Sequence, residues 1–303
     1  MSYNEEIYCG AIIKGDLRGA MEYISKFPEK IQLYARYCEL FELEEYIKYD
    51  LDPRLDELLL AYQQYYREIF YLCGDKQLAA GKLRDRLLSG FGITDANVQL
   101  CDLEEKYLLP LFAEHGYQFL GGKTSGYYGP YVWRTTERVT YAVELPDGVE
   151  SYTVKMLDRF VSLGWMDYLS FGMVGTGGWT DADGCINCVR SAWDLNGEAF
   201  RVSLLKHEAQ HARDLRVNRN LSSEDLEYRA KLVELIYTEE RNLLRTFVEE
   251  ADPAAADNGH ARAANRIVQE MVRALGVERL EIGYVPVWRI QAVARELFEK
   301  SQN

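Results

Sequence analysis

The sequence predicts an α+β protein in which a helical N-terminal region is followed by a small mixed sheet and then by helices again. Three observations lead there. Through the first hundred residues, apolar side chains recur at helical spacing. After Gly116 the chain becomes rich in β-branched and aromatic residues set between turn formers. From Gly197 onward, helical spacing returns. Separate runs of helix and strand, rather than their alternation, mark the α+β class.

Helices are predicted over 11–27, 31–49, 54–73 and 77–88, with one more over 102–114. Breaks fall at Phe27-Pro28, Asp52-Pro53, Gly74-Asp75 and between Gly90 and Gly92. Proline fits the first turn of a helix, where its missing N–H is not needed, so Asp52-Pro53 reads as a helix start. Helical hairpins stacked on one another are the expectation for this region. Strands follow over 117–120, 131–134, 139–145 and 152–157, with turns at Gly121-Gly122, Gly129-Pro130 and Pro146-Asp147-Gly148. The run 175–179, rich in glycine, reads as a tight turn or a loop lining a cleft. A further strand is expected over 185–193, then helices over 199–217, 223–248, 261–275 and 288–299. The chain divides into a helical region, 1–100, and a second domain, 101–303.

Bulk properties narrow the function. Hydrophobic residues make up 48% and charged residues 27%, an ordinary globular balance. A net charge of −13 repels phosphate backbones and argues against a general nucleic-acid binder. No apolar stretch approaches the roughly 18 to 20 residues that span a bilayer, so no membrane partner is expected. Met1 to Glu6 lacks the basic and apolar segments of a secretory signal, and a cytoplasmic location is the expectation. The six cysteines, at 9, 38, 73, 101, 185 and 188, are expected to be free thiols. Cys185 and Cys188, three apart on a strand, would face opposite ways and make a poor metal pair.

The chemistry concentrates in His207-Glu208-Ala209-Gln210-His211. No glycine or proline interrupts the chain from Glu198 to Asn218, so these residues fall on a helix. Side chains four apart on a helix lie one above the other, which lets His207 and His211 present two imidazole nitrogens to one ion. Glu208, beside the first, can reach a water at that ion without ligating it. A catalytic zinc site needs a third protein ligand. Ser222 and Asp225 form a capping-box start for the next helix, which would run back along the first. At roughly 1.5 Å per residue, His211 lies about 9 Å before the turn and Glu227 about 6 Å after it, so the two come level. Glu224 falls too close to the helix start, and Glu234 about two turns too far along. Asp214, seven residues after His207 on the same face, is placed to orient an imidazole.

This segment resembles the gluzincin metallopeptidases, which pair a His-Glu-x-x-His helix with a glutamate from a following helix. Glu227-Tyr228-Arg229-Ala230-Lys231 is similar to the Glu-aromatic-x-Ala-Asp pattern of some of those families. The resemblance implies a zincin-like domain, Zn2+ held by His207, His211 and Glu227, and Glu208 as the base. It also implies an oxyanion-stabilising residue beyond the third ligand, for which His260 or a tyrosine is the candidate. In such enzymes an edge strand before the zinc helix pairs with extended substrate, a role expected here of 185–193. The implied activity is zinc-dependent hydrolysis of peptide bonds in a peptide or protein substrate. The alternative is a non-catalytic interaction protein with a structural or vestigial zinc site, reaching a protein partner through its N-terminal helices.

Overall fold

The computed structural model describes residues 2–95, 97–181, 183–253 and 258–301. They belong to two packing units, one of residues 1–135 with 159–175, the other of residues 136–158 with 176–303. The first unit therefore reaches past the residue-100 boundary read from the sequence. The reason is in the core: Leu103, Leu108, Phe112, Phe119, Trp165 and Leu169 pack into the same apolar cluster as the N-terminal helices. No helix among the described residues is long and apolar enough to cross a membrane.

The first unit opens with α1 (Glu5–Ile13), α2 (Leu17–Ile24) and α3 (Ile31–Tyr37). The helix expected over 11–27 is broken at Gly15, whose φ of 72° lies in the left-handed region. The helix expected over 31–49 continues past α3 only through a π-helical turn, Cys38–Glu42. Beyond it, the side-chain amide of Gln63 takes both the N–H and the C=O of Ile47, giving that stretch a partner other than a helix. Next come α4 (Pro53–Tyr66), extended by the π-turn Arg67–Tyr71, and α5 (Lys76–Phe91). The start at Asp52-Pro53 is as read, with the Asp52 carboxylate accepting from Arg54 N. Then follow α6 (Leu100–Leu103), the π-turn Glu104–Leu108, α7 (Leu109–Glu114), β1 (Gln118–Leu120), β2 (Lys123–Thr124) and β3 (Tyr127–Tyr128).

The two strands expected over 131–134 and 139–145 are one, β4 (Tyr131–Leu145), and the strand at 152–157 is the middle of β5 (Gly148–Leu163). The polar run between the first pair is exposed but stays extended. A helix missing from the sequence reading, α8 (Gly164–Ser170), closes the first unit. Gly164 has φ 80°, and a Cβ there would sit 2.7 Å from the Tyr131 ring, so glycine is required.

The second unit adds β6 (Gly178–Thr180) and β7 (Ile186–Val189) to a five-stranded sheet of order β1-β4-β5-β7-β6. β7 runs parallel to β5 and antiparallel to β6, so the sheet is mixed, as expected. A π-helical segment, Phe200–Lys206, leads into α9 (His207–Val217), followed by α10 (Ser223–Tyr237), α11 (Leu243–Glu250), α12 (Gly259–Leu275) and α13 (Val287–Lys300). The single helix expected over 223–248 is two. At Thr238 the Glu198 carboxylate accepts the Thr238 hydroxyl at 2.8 Å and the Glu239 amide at 2.7 Å, while Gln291 donates to Thr238 O. Those partners replace the helical bonds and end α10 there.

The core of this unit joins Val154, Met156, Ile186 and Cys188 of the sheet to Leu204, Ala209 and Ala212 before and along α9, and to Leu232 and Leu235 of α10. All six cysteines are free, and Cys188 is buried in that core. Leu232 is fully buried. Leu232→Ala is expected to cost about 2–5 kcal/mol through lost transfer energy and the cavity left behind, read as a lower denaturant midpoint at unchanged slope.

Candidate metal centre

α9 and α10 run antiparallel, because His207, earlier on α9, meets Glu234, later on α10, while His211 meets Glu227. Ser222 caps α10 by accepting from Asp225 N at 3.1 Å, and its hydroxyl lies 2.6 Å from the Asp225 carboxylate, within donating reach. Ala230 is fully buried, consistent with a close helix approach.

The side chains of His207, His211 and Glu227 converge, with exposures of only 6%, 9% and 8%. The two Nε2 atoms lie 2.9 Å apart, and the Glu227 carboxylate oxygens lie 3.4 Å from each. Among the described residues this is the one group of three or more His, Cys, Asp or Glu side chains able to hold a metal ion. Burial opposes a charge on His207, but the Glu227 carboxylate beside it and its bond to Glu234 outweigh that and push its pKa up to about 10. Burial likewise raises the Glu227 carboxyl, yet His207, His211 and His260 hold it far below the usual carboxylate range. Glu227 Oε2 is nonetheless buried with no hydrogen-bond donor: His260 Nδ1 lies 2.8 Å away, within ion-pair reach but not in hydrogen-bonding geometry. His211 Nδ1 is also buried without a partner. A buried anionic oxygen facing two imidazole nitrogens is the donor set for a cation.

The remaining sequence-read residues divide. His260, in the first turn of α12, is brought to the cluster, its ring parallel to that of His207 within 10° at 6.4 Å. Gly259 makes this approach possible, since a Cβ there would overlap the Ser223 side chain. Glu208 stands outside the triad, partly exposed, with Thr180 Oγ1 donating to its Oε2 at 2.7 Å. Asp214 does not orient an imidazole. It accepts from Gln210 Nε2 and Arg229 Nε, both at 2.8 Å, because a guanidinium as buried as that of Arg229 needs a counter-charge. Glu234 takes the orienting role instead, its Oε1 2.7 Å from His207 Nδ1. Two turns along α10 is too far to share an ion with His211, but it reaches the outer nitrogen of the histidine one turn back on α9.

The strand at 185–193 is not an edge. β7 lies between β5 and β6, and the edge next to α9 is β6, formed from the end of the glycine-rich run at 175–179. Thr180, on that strand, had no sequence signal of its own. Glu234 had one, its spacing of seven from Glu227 on a single helix face. Two charges close to the motif point elsewhere: Arg213 pairs with Glu150 at 2.9 Å and Lys231 with Glu250 at 2.7 Å. Comparisons of the chain with family models, curated proteins and solved structures returned no match.

Asp214→Ala strands the Arg229 guanidinium with only the Ser301 hydroxyl and the Phe298 ring for company. A loss of about 3–5 kcal/mol is expected in chemical denaturation, and Asp214→Ala/Arg229→Met is expected to recover most of it.

Proposed function

We propose that this chain is a zinc-dependent peptidase, with zinc held by His207, His211 and Glu227. The observation that carries the reading is the buried, donor-free Glu227 oxygen set against two imidazole Nε2 atoms. A tetrahedral zinc with bonds of about 2.0–2.1 Å separates its ligand atoms by about 3.3 Å. The two separations of 3.4 Å match, and the 2.9 Å between the imidazoles needs to open by only a few tenths of an ångström. Glu234, bonded to His207 Nδ1, fixes the tautomer that leaves Nε2 free for the ion.

Bound there, zinc supplies Lewis-acid activation of a carbonyl and of water. Glu208 is the base. Its Oε2 is held by Thr180, which leaves Oε1 to take a proton from the attacking water and return it to the leaving amine. His260, half exposed, has no partner at Nε2 among the described residues and can stabilise a developing oxyanion. On β6, an edge strand, the Thr176 hydroxyl takes both main-chain groups of Gly178, so the main chain of Thr180, whose hydroxyl holds Glu208, is the part left to bond an extended peptide. Among the described residues three protein ligands converge rather than four, which favours this reading over a structural site, whose fourth position is closed with protein.

Elemental analysis of tag-free protein is expected to give about one zinc per chain, and much less for Glu227→Ala. Absence of zinc in the wild type after reconstitution sinks the assignment. Glu208→Gln is expected to keep the metal and lower kcat on a peptide library by ~10²–10⁴-fold. Full activity in that variant removes Glu208 as the base.

A further inference from the structure

The second unit also holds a groove of about 460 Å³ that begins where the β6–β7 turn ends. One wall is the C-terminal half of α9, through Ala212, Leu215 and Arg216, and continues to Arg219. Ala212 sits one helical turn beyond Glu208, about 6 Å along the axis. Ser151 and Thr153 of β5 line the opposite side.

That stretch of β5 is an open edge. Pairing with β7 starts at Val154 opposite Ile186, so residues 151–153 have no β7 neighbour. Thr153 O points toward that side, where it accepts from Cys185 Sγ at 3.6 Å. By the two-residue period of a strand, the N–H and C=O of Ser151 face the same way, into the groove. An open strand edge takes an extended peptide.

The charges select which peptide. The chain as a whole carries −13, yet Arg138, Lys155, Arg216 and Arg219 all line this groove. Lys155 is paired with Asp181 and Arg216 with Glu150. Asp183, also in the lining, is turned to the Cys185 amide. Arg138 and Arg219 are exposed and, among the described residues, have no acidic partner. Two such guanidiniums beside the hydroxyls of Ser151 and Thr153 form a receptor for carboxylates.

We propose that this groove binds an acidic, extended peptide segment, adding it as a strand to the Ser151 edge and holding its carboxylates on Arg138 and Arg219. The proposal deepens the peptidase reading and rests on it for its biological sense, since it assigns that site substrates with acidic residues beyond the scissile bond.

The test uses the full chain carrying Glu208→Gln and two labelled octapeptides, one with three consecutive glutamates and the other with glutamines in their place. Fluorescence anisotropy at low salt is expected to show the glutamate peptide binding about tenfold more tightly. Arg138→Gln/Arg219→Gln, two exposed substitutions, is expected to erase that preference. N-methylation of alternate amides in the glutamate peptide is expected to weaken its binding. Equal affinities, no binding of either peptide, or a preference that survives in the double variant overturns the proposal. A parallel turnover assay on the wild type separates the two readings. Acid-selective binding without cleavage supports the groove and counts against the peptidase, whereas cleavage indifferent to acidic residues does the reverse.

Discussion

α10 is buried continuously from Glu227 to Ile236, although four of the residues in that stretch are charged. Removing each ion from water costs several kcal/mol unless a partner is in place. Each has one. Glu227 faces His207 and His211, Glu234 bonds His207, Arg229 bonds Asp214, and Lys231 reaches Glu250. Those partners come from α9 and α11, and a Ser301 contact adds the end of α13. A shift of any helix by one turn would strand a charge in the interior, so the pairing restricts the register of the whole bundle. Within it Glu227 stands apart, because its partners are imidazoles and one of its oxygens has no donor. The constraint that orders the helices is thus least satisfied, among the described residues, at the group proposed to hold a cation.

Much of this was legible in the sequence, for particular reasons. The spacing of His207 and His211, the helix start at Ser222 and the level of Glu227 all follow from helix geometry with a constant rise, which sequence distance reports directly. What failed depended on competition between partners. Asp214 has a helical position suited to reach an imidazole, but Arg229 on the neighbouring helix claims it, and no spacing rule ranks a guanidinium against an imidazole. The break at Thr238 has a similar origin, since Glu198, forty residues away in sequence, takes the amide and hydroxyl that would extend the helix. The edge strand was misread because strand order is a property of the sheet. Cys185 to Trp193 has the richer β-forming sequence, yet the short Gly178–Thr180 segment lies outside it.

Three glutamates around one helix pair show how surroundings, rather than residue type, divide the chemistry proposed for this site. Glu227 is buried among imidazoles that favour its charged form, which suits a ligand and would ruin a proton acceptor. Glu234 is as deeply buried but is bonded to the outer nitrogen of His207, so its charge is directed to aligning a ring. Glu208 is partly exposed and anchored by a single hydroxyl, the setting that suits the base proposed for it. Exchanging Glu208 and Glu227 in these settings would give a base too weak to accept a proton and a ligand that solvent could reach. The anchor on Glu208 comes from β6, the strand whose outer edge is unpaired within the sheet. A peptide lying along β6 would therefore be fixed relative to the Glu208 oxygen proposed to take the proton, through one strand and one hydroxyl.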